Sequence, residues 1–261
     1  MKNLENKKII IITGAGNGLG KELAEFFIKE NHNIIIVDKK INKTKFKNKN
    51  FFFVKENLSN TQKIYNSIKK IIKSQKIDLL INNAKFGKRL SLNKETKKNF
   101  NNTFDINLTS HFFLIQKLIN NFNVKNNGSC IINISSVAAT SITNESPSYH
   151  FSKCALISMT KYLALHLGKK NIRSNCIMPG FILKKENLKK YYSKKNIKYR
   201  KIVNHILPSK NIGNSLDIYN LCNFLMKPES KFINGEIITL DGGSHTTKID
   251  PFNLLFKYKQ L

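Results

Sequence analysis

Two side chains, Tyr149 and Lys153 in the run Tyr149-His150-Phe151-Ser152-Lys153, have the i and i+4 spacing that puts them on one helix face. A phenol beside an ammonium is a candidate acid/base, because the positive charge favours the ionised phenol and is expected to lower its pKa from about 10 toward neutrality. Thirteen residues before Tyr149, the apolar run Ile131-Ile132-Asn133-Ile134 ends in two hydroxyls, Ser135 and Ser136. A tyrosine–lysine pair alone is also what a lysine-rich surface produces, so its meaning depends on what stands beside it. The chain has only 12 glycines, yet Gly14, Gly16, Gly18 and Gly20 fall within Thr13-Gly14-Ala15-Gly16-Asn17-Gly18-Leu19-Gly20. That turn follows the apolar run Lys8 to Ile12 and precedes Lys21 to Glu30, where Leu23, Ala24, Phe27 and Ile28 keep helical spacing. A strand, a glycine turn and a helix in that order let the backbone approach a pyrophosphate and aim the helix's unpaired N–H groups at it. A second apolar run, Asn33 to Val37, ends in Asp38, where a carboxylate can accept both hydroxyls of an adenosine ribose.

The elements that must position these groups alternate between strand and helix. Phe51 to Val54, Ile77 to Ile81, Cys130 to Ile134, Asn175 to Met178 and Ile237 to Leu240 read as further strands. Helices are expected from Asn60 to Ser74 with Ser59 as cap, in one or two pieces from Glu95 to Asn121, and from Ser148 to Leu167. Seven strands joined by helices require an α/β fold, a doubly wound parallel sheet in one domain with helices on both faces. Its ligand belongs outside the carboxyl ends of the strands.

Composition narrows the partners. The 45 basic residues against 16 acidic give a net charge of +29, but only Arg89, Arg173 and Arg200 are arginine, the residue that base readout and bidentate phosphate recognition favour. The lysine excess reads as a solvated surface, and no nucleic acid is expected as partner. No apolar run approaches the roughly 20 residues of a membrane span, and the start lacks the pattern of a signal peptide, so a cytoplasmic protein with no membrane partner is expected. Cys130, Cys154, Cys176 and Cys222 lie far apart with no C-x-x-C pair; they are expected to be reduced core residues, with no metal site.

Taken together, Thr13-Gly14 with Gly18-Leu19-Gly20, Asn82-Asn83-Ala84, Asn107 in Asp105-Ile106-Asn107-Leu108, Ser136, Tyr149, Lys153, Pro179-Gly180-Phe181-Ile182 and Leu240-Asp241-Gly242-Gly243 resemble the classical short-chain dehydrogenase/reductase family over nearly the whole chain. The resemblance implies a Rossmann-type domain over residues 1–243, a substrate lid at about 183–207, a tail over 244–261 and a homotetramer. The activity implied is hydride transfer between a nicotinamide and a carbonyl or alcohol carbon. Tyr149 would protonate the developing alkoxide, Ser136 would bind the carbonyl oxygen, Lys153 would tune Tyr149 and hold the nicotinamide ribose, and Asn107 would hold a water relaying protons to Lys153. Implied cofactor contacts are Gly14, Asn17, Gly18, Leu19, Gly20, Asp38, Asn57, Leu58, Asn83, Ala84, Pro179, Gly180 and Ile182, with Tyr149 and Lys153 themselves.

Three positions depart from the pattern: Lys85 replaces a glycine, Lys184 a threonine and Asn57 an aspartate. At Lys85 the side chain either strains a positive-φ backbone or reaches a phosphate. The Asp38 charge would repel a 2′-phosphate and so favours NAD, while Lys39 and Lys40 keep NADP open. Within the family the chain most resembles the 3-oxoacyl-carrier-protein reductases, with Lys170 near the face that meets the acidic carrier. The expected substrate is a small carbonyl or alcohol compound, with acyl carrier protein as candidate carrier. An NAD-dependent secondary alcohol, polyol or sugar dehydrogenase is the alternative, followed by a non-catalytic binding protein. In the tail, Phe252, Leu255 and Phe256 form an apolar face expected to cross to a neighbouring subunit.

Overall fold

The computed structural model describes residues 7–41, 46, 48–125 and 128–246. The tail expectation about Phe252, Leu255 and Phe256 lies outside the described residues.

Alternation within the first strand dictates the layering. In β1 (Ile9–Thr13) the side chains of Ile9 and Ile11 point to one face of the sheet and those of Ile10 and Ile12 to the other, and all four are buried. A strand buried on both sides needs helices on both sides. The first face is covered by α2 (Thr61–Ile72), α4 (Ser110–Leu118) and α5 (Pro147–Gly168), through residues such as Ile64, Ile68, Leu114 and Leu156. The second is covered by α1 (Gly18–Lys29) and α8 (Ser215–Met226), through Leu23, Phe27, Ile218 and Leu225. Burying each of these side chains contributes roughly 1.5–3 kcal/mol.

The remaining strands of the main sheet are β2 (Asn33–Asp38), β3 (Phe51–Lys55), β4 (Leu79–Asn82), β5 (Ser129–Ile134), β6 (Ile172–Pro179) and β9 (Ile237–Leu240). They form a seven-stranded sheet in the order β3-β2-β1-β4-β5-β6-β9, every pairing parallel. The order reverses between β1 and β4, and that switch point opens a crevice beyond their carboxyl ends.

Sequence periodicity under-reads some elements. The strand expected over Asn175 to Met178 runs from Ile172 because Arg173 hides among apolar neighbours, its guanidinium donating to the carbonyls of Leu225 and Ile233 at 2.6 and 3.2 Å. The helix expected from Asn60 is capped at Asn60 rather than Ser59, whose hydroxyl donates to Asp105 instead. The region 95–121 contains α3 (Lys97–Phe104), a π-helical turn (Asp105–Thr109) and α4. Residues 183–207 hold two short helices, α6 (Leu188–Tyr191) and α7 (Ile197–Ile206), after a small parallel pairing of β7 (Ile182–Leu183) with β8 (Gly213–Asn214). Cys130, Cys176 and Cys222 are buried, but Cys154 is exposed on α5 and corrects the expectation of four core cysteines. No described helix is long and apolar enough to cross a membrane.

Candidate active site

The glycine turn delivers backbone to the crevice because nothing larger fits. Gly14 has φ +66°, and a Cβ there would lie 2.6 Å from the Cα of Ala84. The contact is then stitched by hydrogen bonds. Asn83 Nδ2 donates to the carbonyls of Thr13 and Gly14, both at 3.0 Å, while Thr13 Oγ1 accepts the backbone N–H groups of Asn83 and Ala84, also at 3.0 Å. On the other side, Gly16 N–H and Lys40 N–H each donate to the Asp38 carboxylate at 2.9 Å, which fixes that acid at the end of β2.

Helix α1 starts at Gly18 after Asn17, with no side-chain cap on its first N–H groups. Over that start stands Lys184, whose Nζ would lie 3.2 Å from a Cβ at Gly18. Lys184 also meets Glu186 at 3.8 Å, and its ammonium and the helix N-terminus both favour negative charge in the space between them. The glycine cradle, uncapped N–H groups, ammonium and ribose-side carboxylate therefore fit a dinucleotide with its pyrophosphate at Gly18.

The second half of the site is built from β5 and α5. Ser146 and Pro147 begin α5, the Ser146 hydroxyl accepting the Tyr149 N–H at 3.4 Å, so Tyr149 sits in the first turn and aims at the carboxyl edge of the sheet. Tyr149 is buried with Ser136 beside it in the same cleft, and Ser136 Oγ accepts the Ala138 N–H at 3.2 Å. One turn on, Lys153 is 2% exposed; its Nζ donates to the Ile134 carbonyl at 2.7 Å and lies 5.7 Å from the Tyr149 ring centre. The expectation of a lowered phenol pKa is not met here. Burial disfavours both charged forms, so it pushes Tyr149 above its ordinary value against the weaker lowering by the Ser136 hydroxyl, and pulls Lys153 down to about 7, with the charge of Lys85 adding to the fall.

One cleft of about 420 Å³ joins the two halves. Gly14, Asn17, Gly18, Leu19, Gly20, Asp38, Asn57, Leu58, Asn83, Ala84, Ser136, Tyr149, Lys153, Pro179, Gly180 and Ile182 all line it. Asn107 stands behind the wall, fully buried. Its side chain clamps the backbone of Phe86, accepting from Phe86 N–H at 2.7 Å and donating to the Phe86 carbonyl at 3.0 Å, and it also donates to Ser152 Oγ at 2.9 Å.

The two departures at Lys85 and Lys184 both line the cleft. Lys85 does not strain the backbone, because its φ is not positive, and its ammonium lies 5.3 Å from the Tyr149 ring centre. Lys184 also lines the cleft, on the side of the glycine turn. His111 and Thr13 complete the support: His111 Nε2 pairs with Thr13 Oγ1 at 3.1 Å and His111 Nδ1 with the Asn107 carbonyl at 3.2 Å. No spacing pattern marked His111, because four residues after Asn107 it reads as one more helical position. Lys170 precedes β6 and so lies at the amino edge, away from Tyr149 in the same chain.

Known proteins share this arrangement. The family model described as Enoyl-(Acyl carrier protein) reductase matches residues 14–245. The 3-oxoacyl-[acyl-carrier-protein] reductase FabG of Buchnera aphidicola subsp. Schizaphis graminum is 34% identical over 246 residues, covering 92% of this chain and 98% of that one. The 7alpha-hydroxysteroid dehydrogenase of Escherichia coli K12 is 30% identical over 244 residues, covering 90% and 93% respectively. Among solved structures, 4-hydroxyisoleucine dehydrogenase complexed with NADH superposes with a TM-score of 0.81 at 29% identity, covering 92% of this chain and all of that one. ElxO with NADP bound gives 0.81 at 27% identity over 93% of this chain. With the glycine cradle, Ser136, Tyr149 and Lys153 brought to one cleft, the chain belongs to the short-chain dehydrogenase/reductase family of NAD(P)-dependent oxidoreductases.

Proposed function

We propose that the protein reduces a 3-oxoacyl group to the 3-hydroxyacyl group, with NADH as the preferred donor. The observation that carries this reading is the convergence of Tyr149, Ser136 and Lys153 on one cleft that Asp38 and the glycine turn also line. A bound nicotinamide supplies the hydride. The Ser136 hydroxyl donates a hydrogen bond to the substrate carbonyl, and Tyr149 gives its proton as the oxygen gains charge. Both interactions are stronger in the transition state than in the ground state, so they raise the rate rather than merely the affinity. A phenol kept protonated by burial is a suitable donor in this direction. Lys153, held by the Ile134 carbonyl, keeps a positive charge beside the phenolate that remains.

The 34% identity to a 3-oxoacyl-carrier-protein reductase supports the substrate class, and the Asp38 carboxylate supports NADH. An NAD-dependent secondary alcohol dehydrogenase is the second reading, favoured by the likeness to a hydroxyisoleucine dehydrogenase with NADH. The working protein is proposed as a cytoplasmic homotetramer with residues 1–243 as its catalytic domain and 183–207 as its lid; exposed Phe151, Tyr162 and Leu165 on α5 support a subunit contact. Steady-state reduction of an acetoacetyl thioester, with NADH and with NADPH, tests the function. Turnover with NADH is expected; turnover only of unrelated ketones would move the assignment to the second reading.

A further inference from the structure

The cleft holds a cation that hydride transfer does not require. Lys85 sits beside Ala84, whose N–H is held by Thr13, and Phe86, whose N–H and carbonyl are both held by Asn107. The backbone that carries it is thus fixed on both sides, and its ammonium projects 5.3 Å from the Tyr149 ring centre. Apart from that ring, Lys85 has no hydrogen-bond or ion-pair partner among the described residues. The carboxylate at this edge, Glu145, also acts on Lys85 but is shared with the Arg89 guanidinium, which it meets at 2.9 Å. Lys184, Arg89 and Lys153 add further positive charge around it. An ammonium placed beside the acid/base group, among other cations and with one carboxylate that it shares with Arg89, is a binding point for an anion that arrives with the substrate.

Resting on the 3-oxoacyl reading, we infer that Lys85 binds the acid end of the substrate, and that the preferred substrate is a free short-chain oxo acid and its hydroxy acid rather than a neutral ketone or a thioester. The Lys85 ammonium lies 5.3 Å from the Tyr149 ring centre, so one small molecule can meet both, and a 3-oxo acid carries its carbonyl and its carboxylate two carbons apart. Lys85 is then a specificity residue that touches substrate two carbons from the reacting centre. Its charge distinguishes a carboxylate from an uncharged acyl derivative of the same shape.

The test compares acetoacetate, acetoacetamide and an acetoacetyl thioester as substrates with NADH, in the wild type and in Lys85→Gln. The wild type is expected to favour acetoacetate over acetoacetamide by about tenfold or more in kcat/KM, and Lys85→Gln to bring that ratio near one, chiefly through KM. Equal values for acid and amide in the wild type, a thioester preferred over the acid, or a ratio unchanged in Lys85→Gln would each overturn the inference. Calorimetric titration of the enzyme–NADH complex with acetoacetate and acetoacetamide reads the same preference without turnover. An enzyme that reduces none of the three compounds therefore refutes the 3-oxoacyl reading, while the titration still decides the role of Lys85.

Discussion

Replacing Lys153 by methionine should destroy activity and yet stabilise the protein measured without nucleotide. Lys153 is 2% exposed, and burial together with Lys85 lowers its pKa from 10.5 to about 7. Because the folded value lies below the unfolded one, the unfolded chain binds more protons between pH 7 and 10.5, so wild-type stability rises with pH through that window and the penalty is complete below it. Those two values convert to a destabilisation of about 5 kcal/mol at pH 6 and about 2 kcal/mol at pH 9. Methionine fills a similar volume and carries no charge, but it leaves the Ile134 carbonyl without its donor, at a cost of about 1–3 kcal/mol. The net gain is then about 2–4 kcal/mol at pH 6, which raises Tm by roughly 5–15 °C, and it falls to near zero at pH 9. Thermal and urea unfolding of both proteins at the two pH values, with hydride transfer measured alongside, checks this. A stability difference that does not change with pH, or a variant weaker than wild type at pH 6, would refute the reasoning.

Tyr149→Phe removes only the oxygen that handles the proton, so kcat should fall by 10²-fold or more while the dissociation constant for NADH stays within about twofold; stopped-flow and fluorescence titration separate the two. Asp38→Ser should raise the NADPH to NADH ratio of kcat/KM by at least about tenfold, since the repelling carboxylate is gone and Lys39 still lines the cleft; an unchanged ratio would remove Asp38 from nucleotide selection. Lys184→Ala should weaken NADH binding by about tenfold with little loss in kcat, as expected of an ammonium over the start of α1, and equal affinities by calorimetry would contradict that placement.

The site was legible where a single residue type answers a steric or chemical demand. Gly14 must tolerate φ +66° and a 2.6 Å approach, so the turn betrays itself even in a glycine-poor chain. Tyr149 and Lys153 announce a helix face by spacing alone, and strand-to-helix alternation is enough for the seven-stranded sheet. What the sequence hid depends on neighbours distant in the chain. Arg173 extends β6 only because the carbonyls of Leu225 and Ile233 lie within reach. The direction of the Tyr149 shift could not be inferred from the nearness of Lys153, since it depends on how deeply both are buried. At Lys85 the sequence leaves strain and a reaching ammonium equally open, and only the backbone conformation removes the strain.

The same dependence on distant partners gives Asn107 a structural part in addition to the one its position in the sequence suggests. Its side chain clamps Phe86 and donates to Ser152, and its main-chain carbonyl meets His111 Nδ1 at 3.2 Å. That carbonyl only accepts, so His111 Nδ1 carries the proton of the pair. Thr13 Oγ1 already accepts two backbone N–H groups, so its own proton has the Ile81 carbonyl at 3.5 Å and His111 Nε2 at 3.1 Å to choose from, and the shorter contact is the one to His111. The ring is therefore neutral, and its complete burial agrees, lowering its pKa to about 3. A neutral imidazole at any working pH thus ties the end of β1 to the π-helical turn at Asp105–Thr109, a local widening of the kind that recurs at functional sites. Through Thr13 it holds Asn83 and Ala84, and through Asn107 it is joined to the clamp on Phe86. The segment that presents Lys85 beside Tyr149 is consequently fixed by the same network that shapes the nucleotide turn, so the nucleotide end and the substrate end of the cleft are set by one buried framework.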